Sequence, residues 1–343
     1  MKSWQFTALL ALVIYTLVLR GIPIEHLRYS NTPASETSDT MRAFWQPILH
    51  PLLSEKFDIN GKSYNRGSSL WTQPTGRRLC ILDVDTRPLN DSNQLWSSGN
   101  FSWAGMPSAS SGTLNHLLYA SIHGYDYKFV HTQEFHDRSA YWTKIRAVAN
   151  ILHGYAVVVV LDSDAIFPHL QLPFEWLLNR WNFTEHRSIL QATDPSWKEL
   201  TNSYGRVNGN AGFLVIQNNP RSHEILRQWH GCPDDETHYP NCSRFRSDWP
   251  AEQGAFGEYL WYKYSDYVNQ VACDEALGWD GFKNGCKGIF VRHYTMGKHL
   301  VKGAVEHSLG QSFMAALQIF ALARGHDIRI ESSSNSIVLD TTR

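Results

Sequence analysis

The sequence predicts an α/β fold, a parallel sheet covered by helices with a ligand site beyond the strand ends. Three observations carry this expectation. Residues 156–161 run Ala-Val-Val-Val-Val-Leu, too short for a helix and apolar enough for a strand buried on both faces. Residues 141–154 carry Trp142, Ile145, Val148, Ala149 and Leu152 at the three-and-four spacing of one buried helical face, with Gly154 placed to end the helix. Before them, residues 127–131 (Tyr-Lys-Phe-Val-His) read as a strand. Strand, helix, strand in that order implies a parallel sheet, and such sheets bind ligands outside the carboxyl ends of their strands.

The remaining elements follow in order. Within residues 1–20, Ser3 to Leu19 is an uncharged apolar stretch between Lys2 and Arg20, spanning roughly 25 Å as a helix. They read as a single-pass signal-anchor with the bulk of the chain lumenal, of a length that suits the thinner membranes of the endoplasmic reticulum or Golgi. A cleaved signal peptide is the alternative, although no small-x-small site follows in Val18-Leu19-Arg20-Gly21-Ile22-Pro23. Residues 21–76 are polar and without periodicity, and read as a stem with a short helix near 41–53. Order is expected from Arg78, in a domain covering 77–330 ahead of a tail at 331–343. Its first strand ends in Asp83-Val84-Asp85, and residues 86–112 read as a long polar loop. A helix is expected at 114–123, strands at 189–192 and 212–217, and a helix at 222–230. A last helix at 305–324 has Leu309, Phe313, Leu317 and Phe320 on one face and Gly325 as its stop.

Composition narrows the class. The 343 residues are 43% apolar with net charge −1, which excludes wholesale disorder and the basic surplus of a nucleic-acid binder. Thirteen Trp and fifteen Tyr suit sugar faces as well as ordinary cores. Sequons at Asn90, Asn100, Asn182 and Asn241 agree with a lumenal location. Of five cysteines, Cys232 with Cys242 and Cys273 with Cys286 would close short loops as disulfides, leaving Cys80 in a buried strand. Five free, buried thiols are the other possibility.

Asp162-Ser163-Asp164 follows the buried strand directly. Two carboxylates one residue apart at a strand end suit a hard divalent cation, Mn²⁺ or Mg²⁺, that keeps coordination positions for phosphate oxygens. His293, after the apolar run 288–291, is a candidate third ligand, with His299 as its rival. Lys144 and Arg146 on the preceding helix, and Lys298, could neutralise a donor phosphate or simply be solvated.

The segment resembles the Asp-x-Asp motif of GT-A glycosyltransferases, whose fold is Rossmann-like. The order of motifs is similar to glycosyltransferase family 34, the fungal and plant α-galactosyl-, α-mannosyl- and xylosyltransferases. That likeness rests on Asn115, Tyr119-Ala120 and His123-Gly124-Tyr125, then on residues 142–146 and Asp162-Ser163-Asp164. It continues through residues 208–213, Glu252-Gln253 and residues 293–298. The resemblance implies a GT-A catalytic domain that takes a UDP- or GDP-sugar and a divalent metal held by Asp162, Asp164 and His293. Ser163, Lys144, Arg146 and Lys298 would then lie on the donor side, while Glu252, Gln253 and Asn210 would attend the transferred sugar. Glu252 stands where the family usually has aspartate. The resemblance further implies retention of configuration, a glycan acceptor on protein or lipid, and possible membership of a glycosyltransferase complex. Three readings compete. A glycosidase needs carboxylates flanking a bond rather than adjacent on one turn. A phosphohydrolase would need more Asp/His clusters. The third is a degenerate transferase acting as a lectin or partner subunit.

Overall fold

The structure, a computed structural model, describes residues 42–279 and 286–329. The expected anchor and the tail at 331–343 lie outside the described residues. Among the described residues, no helix is long and apolar enough to cross a membrane.

Order begins before Arg78. Strands β1 (Lys56–Ile59) and β2 (Lys62–Asn65) form an antiparallel hairpin closed by Asn60-Gly61, both at positive φ (48° and 78°). Asn-Gly suits that turn because both central residues must be left-handed. Trp45, Phe57 and Tyr64 are buried in the main core. Polar composition hid this: three large rings, spaced singly, dock the segment without any periodic pattern.

The central sheet has six strands in the order β4–β3–β5–β8–β7–β9. They are β3 (Leu79–Asp85), β4 (Asp126–His131), β5 (Val157–Leu161), β7 (Ile189–Thr193), β8 (Gly209–Gln217) and β9 (Val268–Val271). Strand β3 is parallel to β4 and β5, and β9 is parallel to β7, but β8 runs antiparallel to both its neighbours. The all-parallel expectation is therefore corrected to a mixed sheet. The chain between β7 and β8 contains one short 3-10 turn, Lys198–Leu200, and no crossover helix, so it returns antiparallel.

Alternation along β5 splits the interior into two cores. Val157, Val159 and Leu161 pack on one face with Leu79, Ile81, Phe213 and Val215. Val158 and Val160 pack on the other with Cys80, Leu82, Leu214 and Ile216. On the first face lie α1 (Ser108–His123) and α3 (Phe174–Arg180); on the second lie α2 (Thr143–Ile151), α4 (Pro220–Gly231) and α5 (Ala251–Ala255). The terminal helix α6 (Val301–Ala323) packs on α1 and on the turn Gln46–Ile48. Its buried positions are Val301, Val305, Ser308 and Ser312, whereas Leu309 is exposed and Gly325 opens a further short helix (Gly325–Ile328) instead of capping this one. The apolar spacing of α6 thus did not mark its buried face.

Helix α1 starts six residues earlier than its apolar pattern, because its first turns are built of small residues. Ser110, Ser111, Gly112 and Thr113 are buried. A Cβ on Gly112 would stand 2.0 Å from the backbone oxygen of Ser163, so only glycine lets α1 approach the loop after β5 so closely. A two-residue strand β6 (Ala165–Ile166) leaves that loop and pairs antiparallel with β10 (Arg292–His293), setting His293 opposite Ala165.

Candidate metal and donor site

The loop after β5 is pinned at both ends. Asp162 N–H donates to Gly212 O at 2.9 Å, Ala165 N–H donates to Asp162 O at 2.8 Å, and Tyr294 N–H donates to Asp164 O at 2.8 Å. These bonds, with the β6–β10 ribbon, bring together residues far apart in the chain. The imidazole Nε2 of His293 lies 3.2 Å from Asp164 Oδ1 and 4.0 Å from Asp162 Oδ2. One ligand atom from each of the three residues lies within 4.8 Å of the others. His299, the rival, is exposed in the turn Lys298–Leu300.

The surroundings suit these atoms to a cation. Asn210 Nδ2 donates to Asp194 Oδ1 at 2.9 Å, which turns its oxygen toward Gly212 N–H (2.8 Å) and His293 Nδ1 (3.2 Å). A proton on Nδ1 is thereby favoured, and the neutral imidazole presents a lone pair on Nε2, as a metal-binding histidine requires. Burial alone would depress the His293 pKa, but the Asp164 and Asp162 carboxylates outweigh it and hold the group above its ordinary value. Burial would raise Asp164, yet His293 and Lys298 hold it well below the usual carboxylate range. Both shifts describe opposite charges crowded together, which a divalent cation in the same place would replace.

Lys144 reaches the cluster from α2. Its Nζ donates to Asp162 Oδ1 at 2.7 Å and to Ala211 O at 3.2 Å, and lies 3.5 Å from Glu252 Oε1. Burial opposes the ammonium, but Asp162 and Glu252 overcome it and raise its pKa, so it stays charged. Glu252 is buried, which raises its carboxyl pKa against the pull of Lys144. It sits on α5 directly after Ala251, a non-glycine residue at φ 51°. Lys298 is 69% exposed, with Nζ 3.4 Å from Asp164 Oδ2. Ser163 turns its Oγ to the Arg87 guanidinium at 3.0 Å.

Several sequence expectations change here. Arg146 is not brought to the cluster: it lies exposed on α2, bonds Thr132 Oγ1 at 3.2 Å and covers the Phe135 ring at 4.3 Å. Two positions from Lys144 on a helix, it points the opposite way. Gly209 and Gly212 make room for protein rather than ligand, since a Cβ there would stand 2.1 Å from Gln191 and 2.2 Å from His293. Both ends of the Asn210 amide are engaged within the protein, as are those of Gln253, which accepts from Ala211 N–H at 3.0 Å and donates to Asp194. These two amides position other groups.

Three residues escaped the sequence reading. Asp194 is 3% exposed, and burial pushes its carboxyl up to about 7 although Asn210 and Gln253 both donate to it. A lone aspartate after a short strand carries no signal in sequence. Arg87 forks onto Asp85 (2.9 and 2.7 Å) beside the Asp162–Asp164 loop. Beneath it, His116 joins Asp83 Oδ1 and Ala165 O, each at 2.8 Å. Both ring nitrogens face oxygens, an arrangement that suits a doubly protonated imidazole. Burial disfavours that charge, but Asp83 overcomes it and raises the His116 pKa.

No family model matches the chain, and no curated protein matches it. Among solved structures it is similar to a glycosyltransferase involved in the glycosylation of the major capsid of PBCV-1, with 14% identity and TM-score 0.43, over 66% of this chain and 98% of that one. It is also similar to the apo form of mouse xyloside xylosyltransferase 1 (12% identity, TM-score 0.37, 64% of this chain and 98% of that one). A third is an active-site mutant of LgtC (10% identity, TM-score 0.34, 66% and 95%).

Proposed function

We propose that this chain is a metal-dependent glycosyltransferase of GT-A type, taking a UDP- or GDP-sugar as donor and a glycan as acceptor. One observation carries the reading: Asp162, Asp164 and His293 converge at the carboxyl end of a central strand, with Lys144 and Lys298 beside them. Asp162, Asp164 and His293 would hold Mn²⁺ or Mg²⁺, and when bound the ion would offset charge on a diphosphate leaving group. Lys298, exposed beside Asp164, would meet the diphosphate from solvent. Lys144 keeps Asp162 oriented and leaves Glu252 paired. The bond broken joins the anomeric carbon to a phosphate oxygen; the bond formed joins that carbon to an acceptor hydroxyl, whose proton leaves with the products. Glu252 and Asp194 are the buried carboxyls we assign to the sugar side.

The order of motifs resembling family 34 supports retention with an α-linkage. The sequons, all four with exposed asparagines, and the two disulfides support a lumenal domain in the Golgi or endoplasmic reticulum. The test is hydrolysis of a panel of nucleotide sugars by the folded domain, with and without Mn²⁺. One donor is expected to be cleaved only with metal, and Asp164→Ala to lower the rate at least about a hundredfold. If no donor is bound or cleaved under any condition, the reading gives way to a glycan-binding subunit.

A further inference from the structure

A cleft next to the carboxylate cluster has no role in the account above. Its volume is about 350 Å³, and its walls include Asn208, Asp248, Trp249, Gly254 and Glu258. Two of its walls adjoin, along the chain, segments that carry donor-site residues. Asn208 precedes β8, which carries Asn210, while Trp249 and Gly254 bracket Glu252 at the start of α5.

The chemistry of the walls selects a ligand class. Lys198 and Arg244 stand against Glu199, Asp248 and Glu258, so the cleft lacks the positive surplus that a phosphate needs. It is rich in groups that bond hydroxyls. Glu258 is already held in place, accepting from Ser203 N–H at 3.0 Å and from the Ser203 hydroxyl. Asn208 is 2% exposed, yet its side-chain oxygen has no hydrogen-bond partner. That oxygen packs against Gly257, where an added Cβ would stand 1.8 Å from it, so the hydroxyl-bonding groups open to the cleft are the Asp248 and Glu258 carboxylates.

The rim is aromatic. Trp249 is 55% exposed and meets Tyr141 edge-on at 6.2 Å; Tyr141 stands one helical turn before Lys144. Next to Ser203 in the chain, the exposed Tyr204 packs edge-on against Tyr262 at 4.9 Å. Asn202 Oδ1 fixes the Tyr204 loop by accepting from the N–H groups of Tyr204 (3.1 Å) and Arg206 (2.9 Å). Exposed rings held rigid over a polar floor suit a ligand with apolar C–H faces and hydroxyl edges.

We infer that this cleft is the acceptor subsite and that it takes a neutral oligosaccharide, with one pyranose face on Trp249 and hydroxyls on Asp248 and Glu258. The acceptor role rests on the transferase reading; the neutral-glycan assignment rests on the walls alone.

The experiment is a titration of the wild type, Trp249→Ala and Trp249→Phe with short neutral galacto-, manno- and xylo-oligosaccharides, followed by saturation-transfer NMR. Binding of UDP and GDP with Mn²⁺ is measured on the same samples. At least one oligosaccharide is expected to bind the wild type. Trp249→Ala should weaken it about tenfold and Trp249→Phe should keep most of it, as the loss and recovery of a ring contact require. Trp249 is exposed, so its truncation leaves no core cavity, and circular dichroism checks the fold. The inference is overturned if no oligosaccharide binds, or if Trp249→Ala binds as the wild type does. Nucleotide binding without oligosaccharide binding sinks this inference alone. Trp249-dependent oligosaccharide binding without any nucleotide binding sinks the transferase reading and supports the neutral-glycan assignment.

Discussion

Asn210 shows how much one side chain decides at this site. Its amide donates to Asp194 and its oxygen faces His293 Nδ1, so it sets which imidazole nitrogen is free. Asn210→Ala is expected to weaken Mn²⁺ binding about ten- to a hundredfold, measurable by calorimetric titration; unchanged affinity would refute the positioning role. Asp194 predicts a pH effect on stability. Its folded pKa, about 7, lies above the ordinary 3.8, so the folded state holds the proton more tightly. That contribution is fully present below about pH 4 and is lost as pH rises through about 7, on the order of 4 kcal/mol in all. The stability of the wild type relative to Asp194→Asn should fall across that window in denaturant titrations. A flat difference from pH 4 to 8 would show that Asp194 stays ionised.

At the scale of elements, three contacts build the site: α1 on the Asp162–Asp164 loop through Gly112, the β6–β10 ribbon, and β8 against His293 through Gly212. Gly112→Ala would force α1 away from the Ser163 carbonyl. A loss of roughly 1–3 kcal/mol is expected together with weaker metal binding. Gly154→Ala is the control, since an added Cβ there meets nothing within 4 Å. Equal effects of the two substitutions would remove the case for close approach.

Across the whole molecule, the chain ties its second half with Cys232–Cys242 and Cys273–Cys286, separated by 10 and 13 residues. Loops of this size are worth about 3 kcal/mol each when closed. Reduction with a thiol should lower the unfolding free energy by several kcal/mol without touching Cys80. That thiol is buried in β3, and burial pushes its pKa up to about 12, so it should resist alkylation in the folded protein. Modification of Cys80 before unfolding would contradict the packing of the two cores.

What was legible in the sequence is local. The valine run, the spacing of Ile145 and Val148, and Asp162-Ser163-Asp164 at a strand end depend on neighbours a few residues away, and the structure keeps all of them. The cysteine pairs were legible for the same reason. The tertiary structure decided everything that needs distant segments to meet. It reversed β8 within the sheet, docked residues 42–76 on the core, and carried His293 across to Asp164, 129 positions away in the chain. It also separated Lys144 from Arg146 and revealed Asp194 and His116, whose roles come wholly from burial and from partners in other elements. Periodicity encodes which face of an element is apolar; which buried polar groups share a hydrogen bond is settled only when the layers close.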